Sequence, residues 1–187
     1  QLASLFAWSA LDNGERVGGL VFNNAGHREI RPKRSRKNVL ALLSQVESYN
    51  RQLPMEPAQN APDFADMLAN LRRIARPGSS LFILSDFRGA SAGHAQEHLY
   101  QLAQHTEITA VTCSDPLEQH LPKAGRYVVT DGKDRSELAT NDRRLRQAYR
   151  TDWEEREQSL GNHMQKLGIP LIRASTDQAP FSLLQTY

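Results

Sequence analysis

Cysteine is almost absent from this 187-residue chain, in which Cys113 stands alone. A single cysteine cannot form an internal disulfide, and it excludes a zinc site built from clustered cysteines. Secreted domains are often rich in cysteine, so one thiol fits a reducing compartment better. The first residues also lack the basic and apolar pattern of a signal peptide. We therefore expect this chain to be cytoplasmic.

Long hydrophobic runs and a strong charge bias are missing as well. A membrane span needs about 20 apolar residues, and no stretch of the sequence approaches that length. The 23 Lys and Arg residues nearly balance the 21 Asp and Glu residues. A net charge of +2 does not by itself indicate nucleic-acid binding. With 39% hydrophobic and 24% charged residues, the composition is typical of one folded domain, which we expect to cover residues 1–187.

The sequence lacks the common motifs of catalysis. Ser85 has no Gly-x-Ser-x-Gly context, and no glycine-rich stretch fits the phosphate-binding or dinucleotide-binding pattern. His94 and His98 are four residues apart on a predicted helix, but Ala95 takes the place of the glutamate in His-Glu-x-x-His. A solvated helix face is the better interpretation of this pair. The sequence therefore predicts a protein that is not an enzyme.

A buried strand is the clearest feature that the sequence does contain. Four apolar residues, Leu81–Leu84, follow one another without a polar break. Such a run is typical of a strand that is covered on both faces in a parallel sheet. A second apolar strand is predicted over Glu107–Cys113, and predicted helices alternate with the strands. This alternation predicts an α/β fold with a doubly wound, mostly parallel sheet and helices on both faces.

Both predicted strands end at a serine followed by an aspartate, at Ser85-Asp86 and at Ser114-Asp115. If the strands are parallel neighbours, both carboxylates lie at the sheet edge where ligands of α/β proteins bind. Carboxylate and hydroxyl oxygens suit a divalent cation such as Mg²⁺. Alternatively, each aspartate caps the loop or helix that follows it. Pro116 favours capping for Asp115, whereas both interpretations stay open for Asp86.

The strongest charge cluster is Arg28–Lys37, which has six cations in ten residues. Such a cluster could bind phosphate, but no aromatic residue is interleaved to stack on bases. Pro32 and a predicted helix start at Ser35 indicate an ordered turn rather than a free tail. A solvated surface or an acidic protein partner is the favoured interpretation, and nucleic-acid binding through residues 28–37 is the alternative. The candidate contacts are Arg31, Lys33, Arg34 and Arg36.

Helical apolar spacing begins at the first residues, at Leu2, Leu5 and Phe6, with no capping residue in front of it. We therefore expect the chain to be an N-terminally truncated domain with part of its fold upstream.

Several short segments occur in an order that resembles a known family. They are Gly14–Gly18, Arg31–Arg36, Leu84–Phe87, Cys113–Pro116, and the stretch from Asn141-Asp142 through Lys166-Leu167-Gly168 to Leu183-Leu184. In this order they are similar to the von Willebrand factor A-like domain of the bacterial family called domain of unknown function fifty-eight. The resemblance extends over essentially the whole chain.

The resemblance implies a metal-ion-dependent adhesion site built from three loops. It places Asp86 in the third loop, and it leaves Asp63 as the candidate oxygen of the second loop, where the family's threonine is missing. The first loop and the central first strand would precede Gln1. The resemblance thus implies Mg²⁺ in the intact protein and an incomplete site in this chain, for which we expect no bound cofactor.

The resemblance also implies a role and partners. The missing strand would lie between Arg16–Phe22 and Leu81–Leu84, and because two strand edges would then lack partners, we expect self-association. The implied function is a non-enzymatic protein-interaction module that works with a MoxR-type AAA+ ATPase in the assembly or maturation of other proteins. Ser85 and Arg88, beside Asp86, are further candidate partner contacts. A metal-dependent phosphatase stays open as an alternative, as does an upstream membrane tether of the intact protein.

Overall fold

The structure, a computed structural model, describes residues 1–23, 26–51, 63–130 and 134–186. Its helices are α1 (Leu2–Asp12), α2 (Arg36–Arg51), α3 (Phe64–Ile74), α4 (Gly93–Ala103), α5 (Pro116–Gln119), α6 (Arg143–Lys166) and α7 (Pro180–Leu184). Its strands are β1 (Val17–Asn23), β2 (Gly26–Lys33), β3 (Ser80–Ser85), β4 (Glu107–Ser114), β5 (Arg126–Thr130), β6 (Arg135–Ala139) and β7 (Leu171–Ser175).

A three-stranded parallel sheet with the order β3-β4-β7 forms the centre of the structure. Successive residues of a strand face opposite sides, so the central strand β4 contributes to two apolar clusters. On one face, Ala110 packs with buried residues of α3 and α4 and with Met164 of α6. On the other face, Val111 packs with Phe6 of α1 and Leu183 of α7. Helices therefore flank the parallel sheet on both faces, which confirms the α/β class.

The predicted sheet is wider than the one that the structure describes. Of the seven strands in the described ranges, three form the parallel sheet, and the other four form two separate antiparallel hairpins, β1-β2 and β5-β6. Within these ranges β3 pairs with β4 alone and β1 pairs with β2 alone. The parallel sheet and the β1-β2 hairpin are thus distinct sheets, and a central strand between them remains a sequence-based expectation.

One face of β3 is covered less completely than the apolar run predicts. Ile83 is buried, but the neighbouring Phe82 is 45% exposed. The ring of Phe6 stacks on Phe82 with 4.3 Å between the ring centroids. Phe82 keeps nearly half of its surface in contact with solvent because β3 lies at the edge of the described sheet. An uninterrupted apolar run therefore indicates a strand without fixing how completely each face is covered.

The β1-β2 hairpin has its own apolar cluster, in which Ala7 of α1, Val17 of β1 and Val39 of α2 are buried. The side-chain amide of Asn38 fastens α2 to the hairpin, since its Nδ2 donates to the carbonyl oxygens of Val17 at 2.7 Å and Arg31 at 3.0 Å. The Ser35 hydroxyl accepts a hydrogen bond from the backbone amide of Asn38 at 3.2 Å. This bond confirms the helix start predicted at Ser35, because such a side-chain acceptor satisfies a free amide of the first turn.

One apolar face and an N-terminal capping box position helix α3. Phe64, Met67 and Leu68 are its buried residues, at helical spacing. Asp63 and Asp66 form a reciprocal capping box at its first turn. The buried face packs into the cluster that includes residues of α4 and β3. None of the helices in the described ranges combines the length and the apolar character needed to cross a bilayer.

Two adjacent glycines of β1 provide a matched test of packing in the hairpin. A Cβ atom on Gly18 would lie 2.6 Å from the Ile30 carbonyl oxygen and 2.7 Å from the Pro32 nitrogen, which are backbone atoms that cannot rotate away. A Cβ atom on Gly19 would lie 2.8 Å from Cδ1 of Leu42, the mobile end of a side chain. We expect Gly18→Ala to lower the free energy of unfolding by about 2–3 kcal/mol. Gly19→Ala is expected to lower it by about 1 kcal/mol or less.

Urea unfolding followed by circular dichroism measures both changes. Equal losses for the two variants, or a larger loss for Gly19→Ala, would contradict the close backbone approach at Gly18.

Candidate partner-binding edge of the parallel sheet

The carboxyl ends of β3, β4 and β7 meet at one edge, because β4 pairs in parallel with both of its neighbours. Each strand leads into a hydroxyl group and then a carboxylate. We call this set the acidic rim, and it consists of Ser85, Asp86, Ser114, Asp115, Ser175, Thr176 and Asp177. The sequence prediction that Asp86 and Asp115 share one edge of a parallel sheet is therefore confirmed.

The Asp86 loop is held in a single tight turn. The Asp86 Oδ1 atom accepts hydrogen bonds from the Arg88 amide at 3.2 Å and from the Ser85 hydroxyl at 3.4 Å. The Ser85 hydroxyl oxygen in turn accepts from the Phe87 amide at 3.1 Å. Phe87 has a φ of +53°, which is strained for a residue with a side chain. Its buried ring meets Phe64 edge-on at 5.6 Å, and this contact helps to retain the strained turn.

Arg88 connects this turn to the segment that follows β4. Its Nε atom lies 3.3 Å from Oδ2 of Asp86, and its Nη2 atom lies 3.5 Å from Oε2 of Glu118. The Asp86 side chain remains 48% exposed and that of Arg88 69% exposed. Ion pairs this exposed contribute at most about 1 kcal/mol, so a partner can separate them at small cost. One guanidinium shared between two carboxylates leaves this part of the rim negative.

Asp115 serves as the N-cap of α5. Its Oδ1 atom accepts from the Leu117 amide at 2.9 Å, and Glu118 completes the capping box by accepting from the Asp115 amide at 3.4 Å. Its Oδ2 atom accepts from the Thr176 hydroxyl at 2.5 Å. The Thr176 bond, followed by the Leu117 bond, lowers the pKa of Asp115. The capping interpretation of Asp115 is confirmed, and its carboxylate joins β4 to the end of β7.

Asp63 lies at the start of α3, where its Oδ1 atom accepts from the Asp66 amide at 2.7 Å. The next residue, Phe64, contacts Phe87 in the turn after β3. A Cβ atom on Gly89 would also lie 3.6 Å from the Cβ of Phe64. The fold thus brings the start of α3 against the Asp86 turn, because Asp63 and Asp86 directly precede the two aromatic residues in contact.

These carboxylates do not amount to a cation site by themselves. In the ranges that the structure describes, no three His, Cys, Asp or Glu side chains form a group that could hold a metal ion. Asp63 and Asp86 each accept a hydrogen bond from a backbone amide. Mg²⁺ demands a near-octahedral set of oxygens, and two carboxylates engaged in this way do not supply it. A role for Asp63 and Asp86 as metal ligands stays a prediction from the resemblance.

Cys113 lies one residue before the rim on β4 and is half-buried. It packs against the cluster of Val111, Ile172 and Ala174. Burial raises the pKa of the Cys113 thiol, and the negative charge of Asp86 acts in the same direction. A thiol of this kind is a poor nucleophile near neutral pH, because the thiolate is the reactive form. Its place in an apolar strand therefore favours an inert thiol.

The basic candidates lie elsewhere in the fold. Arg31 and Lys33 belong to β2 in the hairpin sheet, and the exposed Arg34 and Arg36 follow directly. The Arg36 guanidinium lies 5.8 Å from the ring centroid of Trp8. The segment is ordered, as predicted, but it occupies a different sheet from the rim. The structure therefore brings Ser85, Asp86 and Arg88 together and places the basic surface apart from them.

The sequence prediction missed two parts of this site, namely the rim residues at the end of β7 and Glu118. Ser175, Thr176 and Asp177 repeat the pattern of hydroxyl followed by carboxylate that marks the ends of β3 and β4. Applying the same rule to the last strand would have found them. Glu118 carries the signal of a capping box, since it lies three residues after Asp115.

The pKa of Asp115 provides a test of the link between β4 and β7. Because this pKa is lowered in the folded state, the ionised carboxylate stabilises the fold at pH values above its unfolded-state pKa. The contribution is lost as the pH falls through the folded-state pKa. Thr176→Val removes the largest cause, so we expect the pKa of Asp115 to rise in an NMR titration. We also expect a stability loss at neutral pH that disappears in acid.

Thr186→Val is the matched control for this titration, because the Thr186 hydroxyl donates to the Ser182 carbonyl and not to a carboxylate. An Asp115 pKa that stays the same in Thr176→Val would show that this hydrogen bond is absent in solution.

Alkylation of Cys113 reports on the electrostatics of the rim. We expect iodoacetamide to modify Cys113 several-fold more slowly than an unfolded cysteine peptide at neutral pH, because its raised pKa leaves less thiolate. Asp86→Asn removes a negative charge and should increase the rate. A wild-type rate equal to that of the peptide, or no response to Asp86→Asn, would contradict this description.

Comparisons with known proteins agree with the fold. The chain matches the family described as Protein of unknown function DUF58 over residues 1–159. No curated protein sequence matches it. The conserved hypothetical protein BatB from Bacteroides thetaiotaomicron has a similar structure, with a TM-score of 0.52 and 12% sequence identity over 98% of this chain and 82% of that chain. At this identity the likeness concerns the fold alone. Because the family match spans more than half of its length, the chain belongs to the DUF58 family.

Proposed function

We propose that this chain is a non-enzymatic protein-interaction module whose acidic rim binds a partner, and that it works with a MoxR-type AAA+ ATPase in the assembly or maturation of other proteins. The observation that supports this proposal is the convergence of three strand ends, each with hydroxyl and carboxylate groups, on one exposed edge. Membership in the DUF58 family is consistent with the role that the resemblance implies.

The hydrogen bonds of the rim favour binding over catalysis. The hydroxyl groups of the rim serve to hold its turns. The Ser85 hydroxyl bonds with the Phe87 amide and with Asp86, and the Ser175 hydroxyl donates to Asp177 at 2.5 Å. Two shallow cavities of about 720 and 490 Å³ lie along α6 and beside α3, and neither is lined by rim residues. An open rim of this kind suits a protein surface better than an enclosed small substrate.

The charge of the rim indicates the chemistry of the partner. Asp86 and Glu118 share the single guanidinium of Arg88, so a second cation would lower the repulsion that remains between the carboxylates. A basic side chain of the partner can therefore join Asp86 or displace Arg88 from it. The released Arg88 would then be able to pair with a carboxylate of the same partner. Such an exchange fixes the orientation of the partner as well as its affinity.

The basic surface on β2 offers a second, separate contact. Arg31, Lys33, Arg34 and Arg36 are exposed and follow one another along an ordered segment. An acidic surface of the same partner, or of the protein being assembled, would complement them. They belong to a different sheet from the rim.

Asp86→Asn tests the rim without destroying its turn. An asparagine oxygen can still accept from the Arg88 amide and the Ser85 hydroxyl, so the loop is retained while the negative charge is lost. We expect binding to a purified MoxR-type ATPase from the same organism to weaken by about tenfold or more, because a hydrogen-bonded charge pair that the partner shields from solvent carries about 1.5 kcal/mol or more. Isothermal titration calorimetry measures the change.

Asp152→Asn is the control for the loss of charge, since Asp152 is an exposed aspartate paired with Arg156 on α6. Asp86→Asn binding as tightly as wild type, with circular dichroism spectra unchanged, would rule out the rim as the docking site.

A further inference from the structure

The β5-β6 hairpin presents an apolar strand to solvent. Among the described strands, β5 and β6 pair with each other alone. All five residues of β5 are exposed, and they include Tyr127 at 37%, Val128 at 75% and Val129 at 42%. A β-branched side chain as exposed as Val128 gains little from such a position, and two strands by themselves are marginally stable in water. The hairpin would be stabilised by a third strand.

The hairpin rests on a rigid base, so its exposure is not the fraying of a loose end. Thr140 is fully buried, and its hydroxyl accepts from the Gly125 amide at 3.0 Å and donates to the Lys123 carbonyl at 2.8 Å. The Arg146 guanidinium of α6 donates to the Pro122 carbonyl at 2.7 Å and the Thr140 carbonyl at 3.3 Å. These bonds hold the two ends of the hairpin together and fix them to α6.

The two outer edges of the hairpin differ in charge. Each strand starts with an arginine, Arg126 in β5 and Arg135 in β6, but the centre of β5 is the uncharged sequence Tyr127-Val128-Val129 and the centre of β6 is Glu137. Charged residues on an edge strand oppose pairing with another chain. β6 therefore has the protection that edge strands usually carry, and the middle of β5 lacks it.

We propose that β5 pairs antiparallel with β5 of a second copy of this chain, around a two-fold axis at Val128, to form a four-stranded sheet. In this register Val128 faces the partner's Val128, and Tyr127 faces the partner's Val129. Aromatic and β-branched side chains are favourable cross-strand neighbours. Arg126 faces the partner's Thr130, so no like charges meet across the axis.

The same two-fold pairing through β6 would be repulsive, so β5 is the strand that pairs. A two-fold axis at the centre of β6 would place Glu137 directly opposite the partner's Glu137, and like charges in that position destabilise a strand pair. The exposed residues of β5 are few, so the interface is smaller than the roughly 1,200–2,000 Å² of stable complexes. The dimer is therefore weak and reversible, and it forms at high protein concentration.

Opposite charges introduced at position 128, on the two-fold axis, test this register. In sedimentation equilibrium, we expect Val128→Lys and Val128→Glu each to raise the dimer dissociation constant about tenfold or more, since each places like charges in direct opposition. Mixing the two variants in equal amounts should restore a dimer, because lysine then faces glutamate. Restoration of this kind requires that position 128 of one chain lies opposite position 128 of the other.

Ser136→Lys and Ser136→Glu are the controls, since Ser136 lies in the same hairpin but on the strand away from the axis. They should dimerise as wild type does, and circular dichroism confirms that all variants fold. A wild-type chain that stays monomeric at millimolar concentration would overturn the proposal. So would a dimer that persists in both Val128 variants, which would place the interface at another edge such as β1 or β3. Failure of the mixture to recover would exclude the two-fold register.

Discussion

Parallel pairing of β4 with both β3 and β7 is the constraint on which the arrangement of this protein depends. The register places Ser85 beside Thr112 and Ser114 beside Ser175. Because of it, three sequence-distant groups of hydroxyl and carboxylate residues arrive at a common edge. A slip of one residue would turn every side chain of the slipped strand to the opposite face. It would remove Ala110 and Val111, which are fully buried, from the two clusters that they join. The burial of Ala110 and Val111 thus fixes the strand register, and the register determines which residues reach the rim.

Local patterns predicted much of this structure. The spacing of Phe64, Met67 and Leu68 indicates α3, and the apolar residues of Glu107–Cys113 match β4 to within one residue. Capping by Asp115 follows from its position before Pro116, since a proline suits the first turn of a helix. Each of these features depends on residues close together in the chain. For the same reason, the family resemblance could be read from short segments in order.

Other features of the structure were not predicted by such patterns. The apolar residues after Gly168 predict a last strand over Ile169–Arg173, but that strand runs over Leu171–Ser175. Gly168 has a φ of +67°, and the Ile169 amide bonds back to the Met164 carbonyl at 2.9 Å. Ile169 therefore belongs to the end of α6 and is buried there, and its apolar character does not signal a strand. The exposure of Phe82 and the meeting of Asp115 with Thr176 depend instead on contacts between residues far apart in the chain, which no short window of sequence contains.

The end of β4 connects the two surfaces that the structure exposes. Asp115, which caps α5, and Glu118 within α5 take part in the hydrogen bonds and ion pairs of the rim. The chain then passes the buried Leu121 and enters the base of the β5-β6 hairpin at Pro122. The Tyr149 hydroxyl of α6 donates to the Leu117 carbonyl at 3.1 Å, which braces this short connection. Two chains joined at β5 would therefore hold their rims at a restricted separation. A partner with repeated sites that binds one rim would hold its next site close to the other rim, which raises the effective concentration of that site. Such a partner would bind tightly even though the dimer and the exposed ion pairs are each weak.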